Sequence, residues 1–189
     1  MSADQYSDVG AMSVEGSVTI TDGQNGLTSD YSDITAAGVS VVIDTADAED
    51  SGEVADLDLT FSGDLGEATL TLEGEGSLTA TASILNGVST AAGEDTTADI
   101  TVSDPSNVDG VDLSGINVAH IGDLNVAFTE DATVTDAETN LGEATLSVGV
   151  GATLTSTLEA LNGKTVAVAD AVGTGGTSGG VTINASGEL

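Results

Sequence analysis

Apolar and polar residues alternate with a period of two along most of this chain. The pattern runs through Ser17-Val-Thr-Ile-Thr21, Val39-Ser-Val-Val-Ile43, Asp56-Leu-Asp-Leu-Thr-Phe61, Ala68-Thr-Leu-Thr-Leu72 and Ser77-Leu-Thr-Ala-Thr81. It recurs at Ala98–Val102, Leu124–Phe128, Ala144–Val148, Thr153–Thr157, Thr165–Val168 and Val181–Ile183. Successive side chains of a strand point to opposite faces, so each segment predicts a strand with one buried face. Between the segments stand turn signals: Asp22-Gly23, Asn25-Gly26, Asn86-Gly87, Asp109-Gly110 and Asn162-Gly163. Glycine there tolerates the positive φ that tight turns demand. Helical periodicity is absent apart from a single turn's worth near Leu158–Leu161. The chain reads as all-β.

The sequence also repeats itself. Leu65-Gly-Glu-Ala-Thr-Leu70 returns as Leu141-Gly-Glu-Ala-Thr-Leu146. Without a gap, Leu78-Thr79 then matches Leu154-Thr155, Thr81 matches Thr157, and Leu85-Asn86-Gly87 matches Leu161-Asn162-Gly163. Phe61 and Phe128 fall at equivalent places once an insertion is allowed within Thr129 to Asn140, as a duplicated core anchor would. The chain thus divides into an N-terminal segment, residues 1–37, a first β unit, 38–104, and a second, 110–189. Ala68–Leu72 and Ser77–Thr81 flank a short glycine-containing turn and read as a β-hairpin. The expected fold is therefore two related antiparallel β-sandwich-like units arising from internal duplication. The alternative is a parallel β-solenoid, with Ile116-Asn-Val-Ala, Leu124-Asn-Val-Ala and Ala132-Thr-Val as successive rungs. Irregular spacing and the hairpin signals weigh against it.

Composition narrows the chemistry. The hydrophobic residues, 39% of the 189, are mostly Val, Ile, Leu and Ala, with Tyr6, Tyr31, Phe61 and Phe128 as the four aromatics. Such a core is thin and suits pleated sheets. Thirty-two Asp and Glu face a single basic residue, Lys164, for a net charge of −31. Binding to nucleic acid or to anionic lipid needs clustered Lys and Arg, so both are excluded as partners. Cysteine is absent, which removes disulfides and zinc–thiolate sites. No run of apolar residues is long enough to span a bilayer as a helix, and Met1–Tyr6 lacks a basic, then apolar, leader. Export, if any, is expected to use a leaderless route or a leader that lies outside this sequence. Spread over about 8,000 Å² of surface, the charges would stand roughly 16 Å apart, beyond the ~8 Å screening length of physiological salt. Cations are then expected only where carboxylates crowd.

Two segments crowd them. Asp44, Asp47, Glu49, Asp50, Glu53, Asp56 and Asp58 place seven carboxylates within one short stretch, the density of hard oxygen ligands that Ca2+ requires. Asp44, Asp47, Asp50 and Glu53 are the candidate ligands there. Asp104-Pro-Ser-Asn107-Val-Asp109-Gly110-Val-Asp112 has the Asn-x-Asp-Gly core of a calcium loop, with Asp104, Asn107, Asp109 and Asp112 as candidate ligands. Pro105 sits where such a loop carries Asp. The plain readings are a solvated acidic loop and a connector whose Pro and Gly serve the turn. Ca2+ is the one cofactor these patterns suggest.

Catalytic constellations fail on inspection. Asp50-Ser51-Gly52 matches an aspartic-protease tripeptide, but that chemistry needs two converging copies, and the chain has one. Carboxylate pairs for glycoside hydrolysis arise by chance among so many acids. His120 has no cysteine or distinctive serine partner. Gly173–Gly180 lacks the lysine of a phosphate loop and reads as a link. The chain is thus expected to be no enzyme but a self-assembling structural protein of an extracellular or cell-surface assembly, such as a surface-layer, sheath or filament subunit, bridged by cations. Its Thr/Gly/Ala/Asp composition resembles that of bacterial surface-layer and adhesin proteins; no motif carries the resemblance. The expected partners are copies of itself or a capsid or surface scaffold. A virion decoration protein is the alternative, and a carbohydrate- or ligand-binding module fits less well, because tryptophan is absent.

Overall fold

The computed structural model describes residues 1–9, 11–21, 27–47, 55–93, 97–170 and 177–184. Helix α1 (Ala3–Val9) precedes β1 (Met12–Ser13), β2 (Ser17–Ile20), β3 (Ile34–Thr35), β4 (Gly38–Asp44) and β5 (Ala46–Asp47). Next come β6 (Ala55–Asp56), β7 (Asp58–Thr60), β8 (Thr69–Glu73), β9 (Ser77–Ala80) and a single helical turn, α2 (Ala82–Leu85). Strands β10 (Ser89–Ala91) and β11 (Asp99–Val102) lead to a 3-10 turn at Pro105–Asn107, then β12 (Leu124–Phe128) and β13 (Ala132–Val134). The last strands described are β14 (Thr145–Val148), β15 (Thr153–Thr157), β16 (Val166–Val168) and β17 (Gly180–Asn184).

All-β character stands, but the antiparallel sandwich does not: the chain is a parallel β-solenoid of about six turns. A four-stranded sheet runs β2-β4-β8-β10, a six-stranded sheet β7-β9-β11-β12-β14-β16, and a three-stranded sheet β13-β15-β17. Every ladder in them is parallel; among the described residues only the short β5–β6 pair is antiparallel. Partners lie one turn apart in sequence, from Asp58 opposite Ser77 to Ser40 opposite Thr69. The ladder from β9 through β11 to β12 crosses residues 104–110.

The expected hairpin illustrates why. Strands β8 and β9 do not pair with each other; β8 joins β4 and β10, while β9 joins β7 and β11. Their link, Gly74-Glu75-Gly76, turns the chain round a corner rather than back on itself. Gly76 presses against the preceding turn so closely that a Cβ there would lie 2.3 Å from the Leu57 carbonyl oxygen. Glycine therefore serves contact between rungs here, not a reversal of direction.

One corner recurs along the solenoid. A buried or half-buried residue accepts, at its carbonyl, the N–H three positions on: Tyr31 from Ile34, Leu65 from Ala68, Leu85 from Val88, Leu113 from Ile116, Leu141 from Ala144 and Leu161 from Lys164. In four of these corners the preceding Asp or Asn folds back to accept the N–H two residues on: Asp30 from Ser32, Asp64 from Gly66, Asp112 from Ser114 and Asn140 from Gly142. The corners stack directly, Asp30 bridging to Asp64 and Asp112 to Asn140.

Like then stacks on like in the interior. Leu78, Ile100 and Leu124 form one column, and Val41 and Leu70 continue another from Ile20, all fully buried. At the N-terminal end Tyr6, Tyr31 and Phe61 cluster, with centroids 5.3 and 6.4 Å apart. The duplicated phrase keeps its corner but changes face. Leu65–Leu70 leads into β8 of the four-stranded sheet, whereas Leu141–Leu146 leads into β14 of the six-stranded sheet. Phe61 and Phe128 are both buried but not equivalent, since Phe61 follows Thr60, which is level with Asn125 through the β7-β9-β11-β12 register.

Candidate functional site

The acidic side chains serve first as acceptors between turns. Asp58 Oδ1 takes the Ser77 hydroxyl at 2.6 Å, and Asp99 Oδ1 takes the Asp123 amide at 2.7 Å. Asp131 Oδ1 takes the Thr153 amide at 2.8 Å. Hydrogen bonds to a carboxylate are stronger than neutral ones, and each of these ties residues about one rung apart.

The second candidate calcium segment is organised in this way. Asp104 begins the 3-10 turn; its Oδ1 accepts from the Ala82 amide at 2.6 Å and its Oδ2 from Asn107 Nδ2 at 3.0 Å. Asp109 Oδ1 instead accepts the amides of Thr135 and Asp136, both at 2.7 Å, so it anchors the inserted loop before Asn140. Asp112 forms its corner turn, and the Ser114 hydroxyl and amide hold its carboxyl below the usual range. Asp104 and Asn107 are thus together, while Asp109 and Asp112 are bound up with other turns. Asp104 also lines a groove of about 300 Å³ with Ser103, Phe128 and Glu130. In the first candidate segment, Asp44 ends β4 opposite Glu73, and Asp47 lies in β5 opposite Ala55. Asp50 and Glu53 lie outside the described residues. Among the described residues, no group of three or more His, Asp or Glu side chains converges as a metal site would.

The remaining singular side chains are accounted for by the fold. His120 Nδ1 lies 2.8 Å from the Thr90 carbonyl, which can only accept, so Nδ1 carries the proton. Lys164 occupies the corner place that is apolar in the other five corners. With Glu143 it lines a groove of about 330 Å³, where burial lowers its pKa and the Glu143 charge pulls it back up.

The two ends of the solenoid differ most. At the N-terminal end α1 covers the core with Ala3 and Tyr6 and turns Asp4, Gln5, Ser7 and Asp8 outward. The Met1 ammonium donates to the Thr19 carbonyl at 2.8 Å, and the Thr21 amide donates to the Met1 carbonyl at 2.8 Å, so the outer edge of β2 is paired. At the other end β16 and β17 are the last strands of their sheets. Two of their inward positions, Val168 and Ile183, continue buried columns with no described strand above them. Phe128 and Val148 are 1% exposed and Val168 above them 42%; Val134 and Ser156 are 1% and 0% exposed and Ile183 above them 50%. Exposure at this end is set by tertiary structure, because no described strand lies beyond β16 and β17. No known family model, curated protein or solved structure matches the chain.

Proposed function

We propose that this chain is a non-enzymatic structural protein that assembles with copies of itself at a cell surface, with Ca2+ bridging its acidic flanks. The observation that supports this reading is the C-terminal end, where the parallel ladder and its core columns stop with no cap among the described residues. A strand edge with no partner among the described residues, over exposed Val168 and Ile183, is a template for another chain, which monomeric proteins generally blunt or cover. The flanks complement this. Carboxylates dominate them, and their mutual repulsion keeps rods apart until a divalent cation binds two at once. Extracellular Ca2+ sites work in the millimolar range, which sets the concentration for the test. Purified protein is imaged by negative stain, and its mass followed by light scattering, with millimolar CaCl2 and with chelator. Lattices or filaments that form with Ca2+ and dissolve in chelator are expected. A monodisperse 18.4 kDa species under both conditions would overturn the reading.

A further inference from the structure

We infer that the C-terminal rung is a two-fold interface, in which β17 of one copy pairs antiparallel with β17 of a second copy about Thr182. The inference deepens the self-assembly proposed above and rests on it.

Charge selects the partner. A chain of net charge −31 repels its own copies over nearly all of its surface, yet residues 160–184 carry just Lys164 and Asp170 as charged side chains. That stretch is net neutral. Rungs are spaced by about 4.8 Å, so apposing two such ends sets the carboxylates of the preceding rungs, Glu143 and Glu159, roughly 14 Å apart, well beyond the ~8 Å screening length. Of the five exposed large hydrophobic residues described, Val14, Val150, Leu158, Val168 and Ile183, the last two lie on the end rung itself.

Geometry selects the symmetry. The outer edge of β2 cannot accept β17, because Met1 already pairs along it and α1 presents Asp4 and Asp8 outward. With head-to-tail contact through β2 closed, the arrangement inferred is the isologous one, the same patch on both copies. With five residues against three in β16, β17 is the longer of the two end strands described. Antiparallel pairing centred on Thr182 sets Ile183 opposite Val181 of the second copy, both on the inward face, and closes the open columns. The unit is a closed dimer, so growth into larger arrays must proceed through the cation-bridged flanks.

The chain's lack of cysteine makes the test direct. Thr182 points outward and is exposed, so Thr182→Cys leaves the core intact. In an isologous pair the single introduced thiol meets its own copy, and mild oxidation links the two chains into a covalent dimer. A head-to-tail contact cannot bring those two thiols together. In chelator, the wild type is expected to sediment at twice 18.4 kDa at micromolar concentration. Ile183→Glu should halve that mass with an unchanged far-ultraviolet spectrum, whereas Leu158→Glu, on the flank, should leave the dimer intact. Polymers that form in Ca2+ despite Ile183→Glu, with no dimer in chelator, would overturn this interface while leaving self-assembly standing. A monomer under every condition would overturn both. Failure of the Thr182→Cys variant to cross-link, while it still forms a dimer like the wild type's, would overturn the two-fold geometry.

Discussion

Four glycine-to-alanine substitutions separate the two reasons this fold uses glycine. Gly16 has nothing within 4 Å of an added methyl group and no positive φ; Gly87 has a φ of +73° but open space. Gly115 has no positive φ, yet an added Cβ would lie 2.4 Å from the Val88 carbonyl oxygen in the neighbouring rung. Gly142 combines both, with a φ of +54° and the Leu113 carbonyl oxygen at 2.6 Å. Gly16→Ala should be neutral or stabilising by about 0.4–1 kcal/mol, through the unfolded chain. Gly87→Ala should cost about 1–2 kcal/mol, the penalty of a left-handed conformation for a residue with a Cβ. Gly115→Ala forces a backbone carbonyl to retreat and should cost about 1–3 kcal/mol, as other overpacked sites do. For Gly142→Ala the two effects act together, so about 2–5 kcal/mol is expected. Urea unfolding followed by circular dichroism gives each midpoint and slope. If Gly115→Ala proved as harmless as Gly16→Ala at equal slope, the rungs would not touch there, and the stacking of corners would be refuted.

Other outcomes follow from the same contacts. Leu146→Ala, in a fully buried column, should cost about 2–5 kcal/mol, whereas Val168→Ala, above the last covered layer, should cost less than about 1 kcal/mol by the same urea titration when both are made in the monomeric Ile183→Glu background. Burial raises the phenol pKa of Tyr31, and burial with the charges of Asp33 and Asp30 raises that of Tyr6. Folding therefore favours the neutral phenols, and their contribution is intact below about pH 10 and lost as pH rises above it; the phenolate absorbance should appear together with unfolding, and two phenols titrating at about 10 in folded protein would contradict the burial. Asp112 titrates below the ordinary carboxylate value because Ser114 bonds its charged form, so its stabilisation is present above about pH 4 and fades as pH falls through the depressed folded value. Asp112→Asn keeps the accepting oxygen, as Asn140 does, and should lose less stability on acidification than the wild type; an identical acid response in both would remove that role for the charge.

Alternation with period two fixed where the strands lie. Leu124–Phe128 and Thr153–Thr157 became β12 and β15 as bounded by the pattern, and Gly87, Gly110 and Gly163 adopt the positive φ that their turns require. The all-β class and the thin aliphatic core were equally legible, because burial on one face of a pleat is a local property. Strand partnership was not. A parallel and an antiparallel ladder present the same alternation, and Gly74-Glu75-Gly76 can serve a hairpin or a corner. What decides is whether β8 meets β9 or meets β4 and β10, a contact between residues a full turn apart. The recurring corner, Tyr31 to Ile34, Leu65 to Ala68, Leu113 to Ile116 and Leu141 to Ala144, is the signal that could have revealed the solenoid. Loops of unequal length between corners hide it from any search at constant spacing. The acidic segments show the same division: composition announced carboxylates in excess, but only the stacking of rungs assigned Asp104, Asp109 and Asp112 to the amides they bind. The open end belongs wholly to tertiary structure, since Val168 and Ile183 repeat the pattern of their buried neighbours and are exposed because no described rung lies above them.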